Sequence, residues 1–509
     1  MPEHSRDGYD SVPFRGRPIP WASPAALSAT SVAHGGPALG PGPVRVLELG
    51  CGDGAHLIPL AWFRPELTAV GLDTSARAIE RARAASEALG LADRLAFETR
   101  DLADHEAGGF DVVVAQGVYS WIDAGQRAAL RRVAAAALRP GGLCYVSFNS
   151  EPGWSIRGRI RDALVRDRPG SVDEARARLA GLRALLGEPA DAWSYLLAHE
   201  LERGAAAEEG YLVHEYLAED NASFWLGDVV RDFAAEGLAY VGDATFDRLE
   251  GHVDPLLRTQ ARALGGDRVA EEERIDLIAF RQLHAAVFAK VEALDAPPAR
   301  SALVHRAWIA GAVARRNDPF DLADGVEEVF DGPKGRELRI RDATLKVALL
   351  LLADRYPAGT RLEALHAECA ARLAPHGIAA SSVEALADRI GTLHEEMQVE
   401  LRLEDARLRV PVGERPRVLP LTRHEAATRD VLTAPTHQMI PVEPIDRAIV
   451  ERLDGTRTLD ALAEALSEDI AAGRVPLEGA PSIAERVRPV VEARLASTVA
   501  TLGWWGLLA

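Results

Sequence analysis

The feature that most constrains this chain is a glycine-rich turn, Glu48-Leu-Gly50-Cys-Gly52-Asp-Gly54, set directly behind the apolar run VRVLELG at 44–50. A strand that breaks into closely spaced glycines and resumes as a helix lets the backbone approach a ligand that side chains would hold away. Further apolar runs follow at 67–73 (LTAVGLD), 94–99 (RLAFET), 110–116 (FDVVVAQ) and 143–148 (LCYVSF), with Ala-, Arg- and Glu-rich stretches between them. One such stretch begins near Ala55, and the next spans 75–90 with Thr74 or Ser75 placed to cap it. Strands alternating with helices in this way imply a parallel, doubly wound α/β sheet.

Asp73 ends the second run, and an acid about 20 residues after such a turn accepts hydrogen bonds from a ribose. That much points to an adenosine-type cofactor. With Ala55 the turn also satisfies the looser dinucleotide pattern GxGxxA, so NAD stands as an alternative at this level. Three further features favour S-adenosylmethionine, with S-adenosylhomocysteine as product. Glu48 precedes the first glycine, where a carboxylate meets a cationic amino-acid group; Asp101 ends the third run within reach of an adenine amino group; and the fourth run leads into a polar and aromatic tip. The candidate cofactor-binding residues are Glu48, Gly50, Cys51, Gly52 and Gly54, then Asp73, Asp101 and Leu102, then Gln116 and Gly117 at the tip. Cys51 is expected to act through its backbone N–H rather than its thiol, and Tyr9 of the N-terminal arm to fold over the cofactor as a lid.

This ordered set resembles the class I methyltransferases over 44–148. The likeness extends further: YDSVPF (9–14), LELGCGDGAHLIPLA (47–61), QGVYSW (116–121), SFNSEPGW (147–154) and YLVHEYLAEDN (211–221) are similar to landmarks of bacterial methyltransferases that carry a regulatory domain. That group includes the protein lysine methyltransferases acting on outer-membrane proteins of rickettsiae. PLTRHEA (420–426) and LDGTRTLDALAEAL (453–466) continue the likeness in matching order. The resemblance implies a methyltransferase core, an inserted helical segment, and C-terminal winged-helix-like modules that help present a protein substrate. Two departures are visible: Phe14 stands where the family commonly has tyrosine, and Phe148-Asn-Ser-Glu-Pro-Gly-Trp154 replaces a YNTYPGW-like stretch.

Ligands of such folds bind at the carboxyl edge of the sheet. Tyr119 and Trp121, just beyond the fourth strand, and Asn149 and Trp154, just beyond the fifth, are therefore the candidate acceptor pocket. Aromatic faces there would attract a methylated ammonium. His214, with Glu215 beside it, comes where the chain returns to the sheet and could serve as a proton acceptor. The resemblance implies a nitrogen of a protein side chain as the acceptor, with lysine as the leading choice. The alternatives are a natural-product peptide or small metabolite, and a non-catalytic S-adenosylmethionine-binding regulator suggested by the helix-turn-helix-like modules.

Composition bears on the partners. The formal charge of −18, from 58 basic and 76 acidic residues, and the absence of a basic stretch argue against nucleic acid. The helices at 362–373 and 459–470 carry mixed charge, which fits a protein or peptide partner better than a phosphate backbone. Cys51, Cys144 and Cys369 lie far apart without a CxxC, and no HExxH occurs, so neither a disulfide framework nor a metal is expected. A reducing cytoplasm fits. No run of about 18 apolar residues occurs, so no transmembrane anchor is expected.

At 509 residues, 48% of them hydrophobic, the chain can build several cores. Residues 1–43, rich in Pro and Gly, read as an N-terminal arm that is extended rather than packed. The first part of the methyltransferase core follows at 44–154 and a helical insertion at 155–212. The remainder of the methyltransferase and regulatory region takes 213–293. There a helix carrying Phe224, Leu226, Val229, Val230 and Phe233 is expected to end at Gly237, a strand to run over 238–246, and a last strand to come from 275–290. A winged-helix-like α+β domain is expected over 302–414, with two strands flanking DGPKG, and a helix-rich domain over 415–509. Trp504 and Trp505 in the terminal TLGWWGLLA are expected to be buried, a homodimer contact being the alternative.

Overall fold

The computed structural model describes residues 16–40, 42–167, 169–244, 255–396, 398–404, 410–477 and 483–509. Thr30–Ala61 and Pro65–Ala296 belong to one compact unit; Arg17–Ala29, Trp62–Arg64 and Pro297–Ala509 belong to a second.

The first unit is built on one sheet. Its strands are β1 (Arg45–Leu49), β2 (Thr68–Asp73), β3 (Leu95–Thr99), β4 (Phe110–Ala115), β5 (Leu138–Ser150), β6 (Ser223–Phe224), β7 (Ala239–Asp243) and β8 (Leu283–Ala289). The order is β3-β2-β1-β4-β5-β8-β7, with the short β6 beside the end of β5. β1 to β5 are mutually parallel, and β8 inserts antiparallel between β5 and β7. Every residue of β4 is buried, which is why FDVVVA reads as a continuous apolar run rather than an alternating one. Crossover helices Leu57–Phe63, Ala76–Ala88 and Ala124–Ala137 connect the strands. Ser75 caps the second of these, accepting from the Ala78 amide, and Asp123 caps the third through Gln126. The sheet is therefore the expected doubly wound one, and its polarity puts the ends of β1 to β5 along one edge.

After β5 the chain leaves the sheet as helices Glu151–Asp167, Val172–Leu186 and Ala192–Ala206, and returns through a π-helical turn, Leu212–Tyr216. Here the expectation needs correction. Phe224 is not helical but lies in β6, paired with Ser150, and the helix begins only at Leu226. The reason is polar: the Asn221 side chain bonds to Asn149 and to the Glu215 carbonyl, which fixes this segment against the sheet before a helix can start.

The N-terminal segment also differs from expectation. Pro24–Ala33 is a helix in which Leu27 and Val32 are buried, with Pro20–Ala22 as a short turn before it. Prolines occupy the first positions of both elements, where the fixed φ favours a helix and the missing N–H costs nothing. The same residue type that suggested an extended arm thus starts helices here.

In the second unit, helices Ala343–Arg355, Leu362–Leu373 and Val383–Glu395 pack with a small sheet of Thr360–Arg361, Trp308–Ala310 and Glu400–Arg402, and Glu328–Asp331 pairs with Glu337–Ile340 across the DGPKG turn. Helices Pro420–Thr428, Pro444–Arg452, Leu459–Ala471 and Ala484–Trp504 follow, with a hairpin of Val431–Thr433 and Met439–Pro441. Trp505 packs against this last core, but Trp504, expected to be buried, is 43% exposed. The two are adjacent at a helix end, so only one of them faces the core. Among the described residues no helix is long and apolar enough to cross a membrane.

Candidate functional site

Gly50, Gly52 and Gly54 have φ of 77°, 53° and 74°, the left-handed region that favours glycine. Their surroundings differ. A Cβ on Gly50 would stand 2.5 Å from Val118 Cγ2, and one on Gly54 2.9 Å from the Phe97 ring, so these two glycines permit close packing. A Cβ on Gly52 would meet nothing within 4 Å, which leaves space above the backbone for a ligand. Asp73, at the end of β2, shapes the turn: its Oδ2 accepts from the Gly52 amide and its Oδ1 from the Ser75 amide, each at 2.8 Å. These two bonds orient the carboxylate at the end of the strand.

Glu48 is 4% exposed, and its Oε2 has no hydrogen-bond partner among the described residues. Burial, with the neighbouring charges of Asp73 and Asp53, pushes its carboxyl well above the usual range. A buried carboxyl in that state is matched by a cationic ligand group. Asp101 accepts from the Ala103 amide at 3.0 Å and from Gln126 Nε2 at 3.1 Å, which holds it at the end of β3. Gln116 is fixed by the Tyr145 hydroxyl at 2.6 Å, and Gly117, exposed with φ of 64°, donates its N–H to Ser147 Oγ at 2.8 Å. Leu102 packs partly buried against the core. Four strand ends thus offer a buried carboxyl, an oriented carboxylate, a second acid and open backbone along one edge, a set that fits the amino-acid, ribose and adenine parts of S-adenosylmethionine.

One expectation at this edge is corrected. The Cys51 N–H, like that of Gly50, donates to the Leu72 carbonyl, at 2.9 and 2.8 Å respectively, and so does not face a ligand. Its thiol is buried against Gly71 and held above its ordinary range by burial. Cys51 joins the turn to β2. Tyr9 lies outside the described residues.

The residues chosen for the acceptor side come together only in part. Trp121 donates Nε1–H to the His214 carbonyl at 3.0 Å, and Asn149 donates Nδ2–H to Asn221 Oδ1 at 2.8 Å. These bonds bring the loop after β4, the end of β5 and the π-helical turn into one cluster. His214 is 5% exposed within it. Trp154 is buried at 3% exposure with the Arg157 guanidinium 5.2 Å from its ring. Tyr119 is placed as a core residue rather than a pocket wall. It is 1% exposed, its hydroxyl accepts from Arg131 at 2.9 Å, and its ring lies among Phe148, Phe224 and Phe233 at 6.1, 5.3 and 5.8 Å. Sequence reasoning did not single out Asn221, whose signal was the break in apolar pattern at AEDN.

Comparison with known proteins accords with this geometry. A family model described as a methyltransferase domain matches residues 47–144, one described as a predicted methyltransferase regulatory domain matches 208–290, and one described as the PKMT C-terminal winged helix domain matches 414–505. An uncharacterised protein of Rickettsia prowazekii (strain Madrid E) is 30% identical over 284 residues, which is 54% of this chain and 51% of that protein. An uncharacterised protein of Synechocystis sp. is 25% identical over 39% of this chain and 40% of its own length. The chain thus spans only about half or less of the length of these two relatives. Among solved structures, PKMT2 from Rickettsia typhi superposes with a TM-score of 0.85 at 19% identity, covering 97% of this chain and 100% of that one. The same protein in complex with AdoHcy gives 0.84 at 20% identity over the same shares. The chain therefore carries a class I S-adenosylmethionine-dependent methyltransferase domain, a methyltransferase regulatory domain and a PKMT-type C-terminal winged helix, and it shares its fold with PKMT2.

Proposed function

We propose that this protein methylates nitrogen on the side chains of a protein substrate, with lysine as the acceptor. The observation that carries the reading is the occurrence of a PKMT winged-helix match on the same chain as the methyltransferase and regulatory matches. A cytoplasmic setting agrees with Cys51, Cys144 and Cys369 all being free and buried thiols.

In this reading Glu48 receives the cationic amino group of the cofactor, Asp73 the ribose and Asp101 the adenine, while Gly52 leaves room for the cofactor to lie against the backbone. The cofactor supplies a methyl group on a sulfonium, ready for in-line displacement. What the chain must add is alignment of the acceptor and exclusion of water. Asn149 and Asn221, bonded to each other, and Trp121, bonded to the turn at His214, act as positioning groups that fix the acceptor side. A lysine at its ordinary pKa of about 10.4 enters as an ammonium and must lose a proton before it can attack.

The test is transfer from methyl-labelled S-adenosylmethionine into lysate of the host. Label recovered as acid-stable methyl-lysine in a protein band is the expected result. Label confined to peptides or metabolites would move the acceptor to natural-product chemistry, and donor binding without transfer would favour a regulator.

A further inference from the structure

The helices Glu151–Asp167 and Ala192–Ala206 and the turn Leu212–Tyr216 enclose a charged cluster that the donor site does not use. The turn is π-helical, a form that concentrates at functional places because it widens the backbone locally. It is tied to both strand ends that face an acceptor. Trp121, beyond β4, donates to the His214 carbonyl, and Asn221 donates to the Glu215 carbonyl at 2.9 Å while accepting from Asn149 of β5. The loop after β4 rests in turn on the glycine-rich turn, through Val118 against Gly50. One short loop therefore links Glu215 to the donor site.

Glu215 is only partly buried as a residue, and the Asn221 side chain donates to its carboxyl, yet its Oε2 is closed from solvent and has no hydrogen-bond partner among the described residues. The charged groups facing it are Arg157 and Arg161 from one helix and Arg203 from the other. All three bond elsewhere: Arg157 to Glu200 at 3.0 Å, Arg203 to Gln282 at 3.2 Å, and Arg161 to the Ala218 and Glu219 carbonyls. Tyr211 and Tyr216 complete the surroundings, with the Tyr216 hydroxyl also lacking a partner among the described residues. A carboxylate serving only to pair charge would engage one of these guanidiniums. Here burial outweighs them and lifts the carboxyl to about 7.

We propose that Glu215 takes the proton that a cationic acceptor amine must lose before methylation, a role that rests on the amine-methylating reading above. The ammonium N–H bond breaks, the proton passes to the Glu215 carboxylate to give the neutral acid, and the nitrogen keeps the electron pair. That pair forms the N–C bond to the methyl group while the methyl–sulfur bond breaks, its electrons going to sulfur. The three guanidiniums disfavour the ammonium form beside them and so assist the loss. The neutral acid gives up its proton again after the methylated product has left.

The test uses the full chain saturated with S-adenosylhomocysteine and n-butylammonium as the acceptor probe, titrated by NMR at pH 6, 7 and 8, with Glu215→Gln beside the wild type. The probe stays charged throughout this range, so any pH dependence belongs to the protein. Wild-type affinity is expected to rise through pH 7 and then level; in Glu215→Gln it is flat and at least tenfold weaker at pH 8, with S-adenosylhomocysteine affinity unchanged. The variant is also expected to melt higher than the wild type at pH 8, since a buried ionised group is gone. A wild-type affinity that does not change with pH would overturn the proposal. So would equal binding by the variant, or a variant that melts lower and loses both ligands, which marks a packing residue. Failure of the wild type to bind S-adenosylhomocysteine would instead overturn the methyltransferase reading.

Discussion

Glu48 shows how much chemistry one side chain can carry at a strand end. Its carboxyl is raised by burial and by Asp73 and Asp53 above the ordinary value of 4.5, so the folded protein holds this proton more tightly than the unfolded chain does. Stability from this group is complete below that ordinary value and drains away as pH rises towards the folded-state value. Glu48→Gln removes the liability and with it the partner for a cationic ligand. The variant is expected to melt higher than the wild type at pH 8 in the absence of cofactor. It should also bind S-adenosylhomocysteine roughly ten- to a hundredfold more weakly, the worth of a charge-assisted hydrogen bond of about 1.5–3 kcal/mol. Melting curves and calorimetric titration check the two halves separately, and unchanged affinity would remove Glu48 from the donor site. Among the other residues at this edge, Gly52 and Asp73 were legible because both belong to one strand–helix–strand unit, where local spacing dictates position. Cys51 was legible only as a member of the turn: which carbonyl its N–H meets depends on how β2 lies beside it.

At the scale of elements, the join between β7, β8 and the helix Arg268–Ala279 depends on a buried ionic network. His284 on β8 bonds through Nδ1 to Asp243 at 2.7 Å and through Nε2 to Asp276 at 2.9 Å, and Arg281 bonds to Glu272 at 3.1 Å, all at 3% exposure or less. Burial alone would lower the pKa of His284, but Asp276 and Asp243 raise it from 6.5 to about 9. Burial would likewise raise Asp243 and Glu272, yet His284 and Arg281 hold the first at about 2, and Arg281 and Arg258 hold the second at about 2. The histidine contribution is complete below 6.5 and is lost as pH rises through about 9. The carboxylate contributions are complete above the unfolded values of 3.8 and 4.5 and are lost as pH falls towards 2. The melting temperature is therefore expected to peak between about pH 4.5 and 6.5 and to decline on both sides. Replacing His284 by Asn takes one partner from each of two buried carboxylates and leaves Arg281 to hold both. At pH 6 it should cost about 3–5 kcal/mol in denaturant unfolding and flatten the alkaline limb; a loss under about 1 kcal/mol would show that the network is not coupled. The strands themselves were readable from their apolar runs, but this network was not, because its members pair across strands and a helix that the sequence separates.

For the whole molecule, the rarity of lysine becomes informative once burial is known. Of the three lysines, Lys290 donates to the Ala135 and Leu138 carbonyls at 2.6 and 2.7 Å, and Lys346, fully buried, donates to those of Asp321 and Ala323 at 3.0 and 2.7 Å. Both ammonium groups are committed to closing helix or loop ends, and only unfolding of the surrounding unit frees them. Reductive methylation of the native protein followed by peptide mass spectrometry is expected to leave Lys290 and Lys346 unmodified, with reaction at both once denaturant is added. Rapid reaction of either in the native state would contradict the placement. The same protection keeps background self-labelling low when labelled donor is used to find a substrate.

The sequence by itself determined the doubly wound sheet, its carboxyl edge and the glycine-rich turn after β1, since each rests on spacing within a few tens of residues. It could not show that the proline-rich lead-in forms the helix Pro24–Ala33, because proline starts helices as readily as it keeps a chain extended. Nor could it place the acceptor side. Asn149 meets Asn221 across 72 residues and Trp121 meets the His214 carbonyl across 93, with several helices intervening in the chain. Tyr119 shows the converse, a residue with the right position in sequence and the right chemistry that the closing of β5, β6 and the helix Leu226–Ala234 turned into core. Local periodicity fixes where a strand ends, but which side chains meet beyond that end is decided by the packing of distant segments, and only the folded chain carries that information.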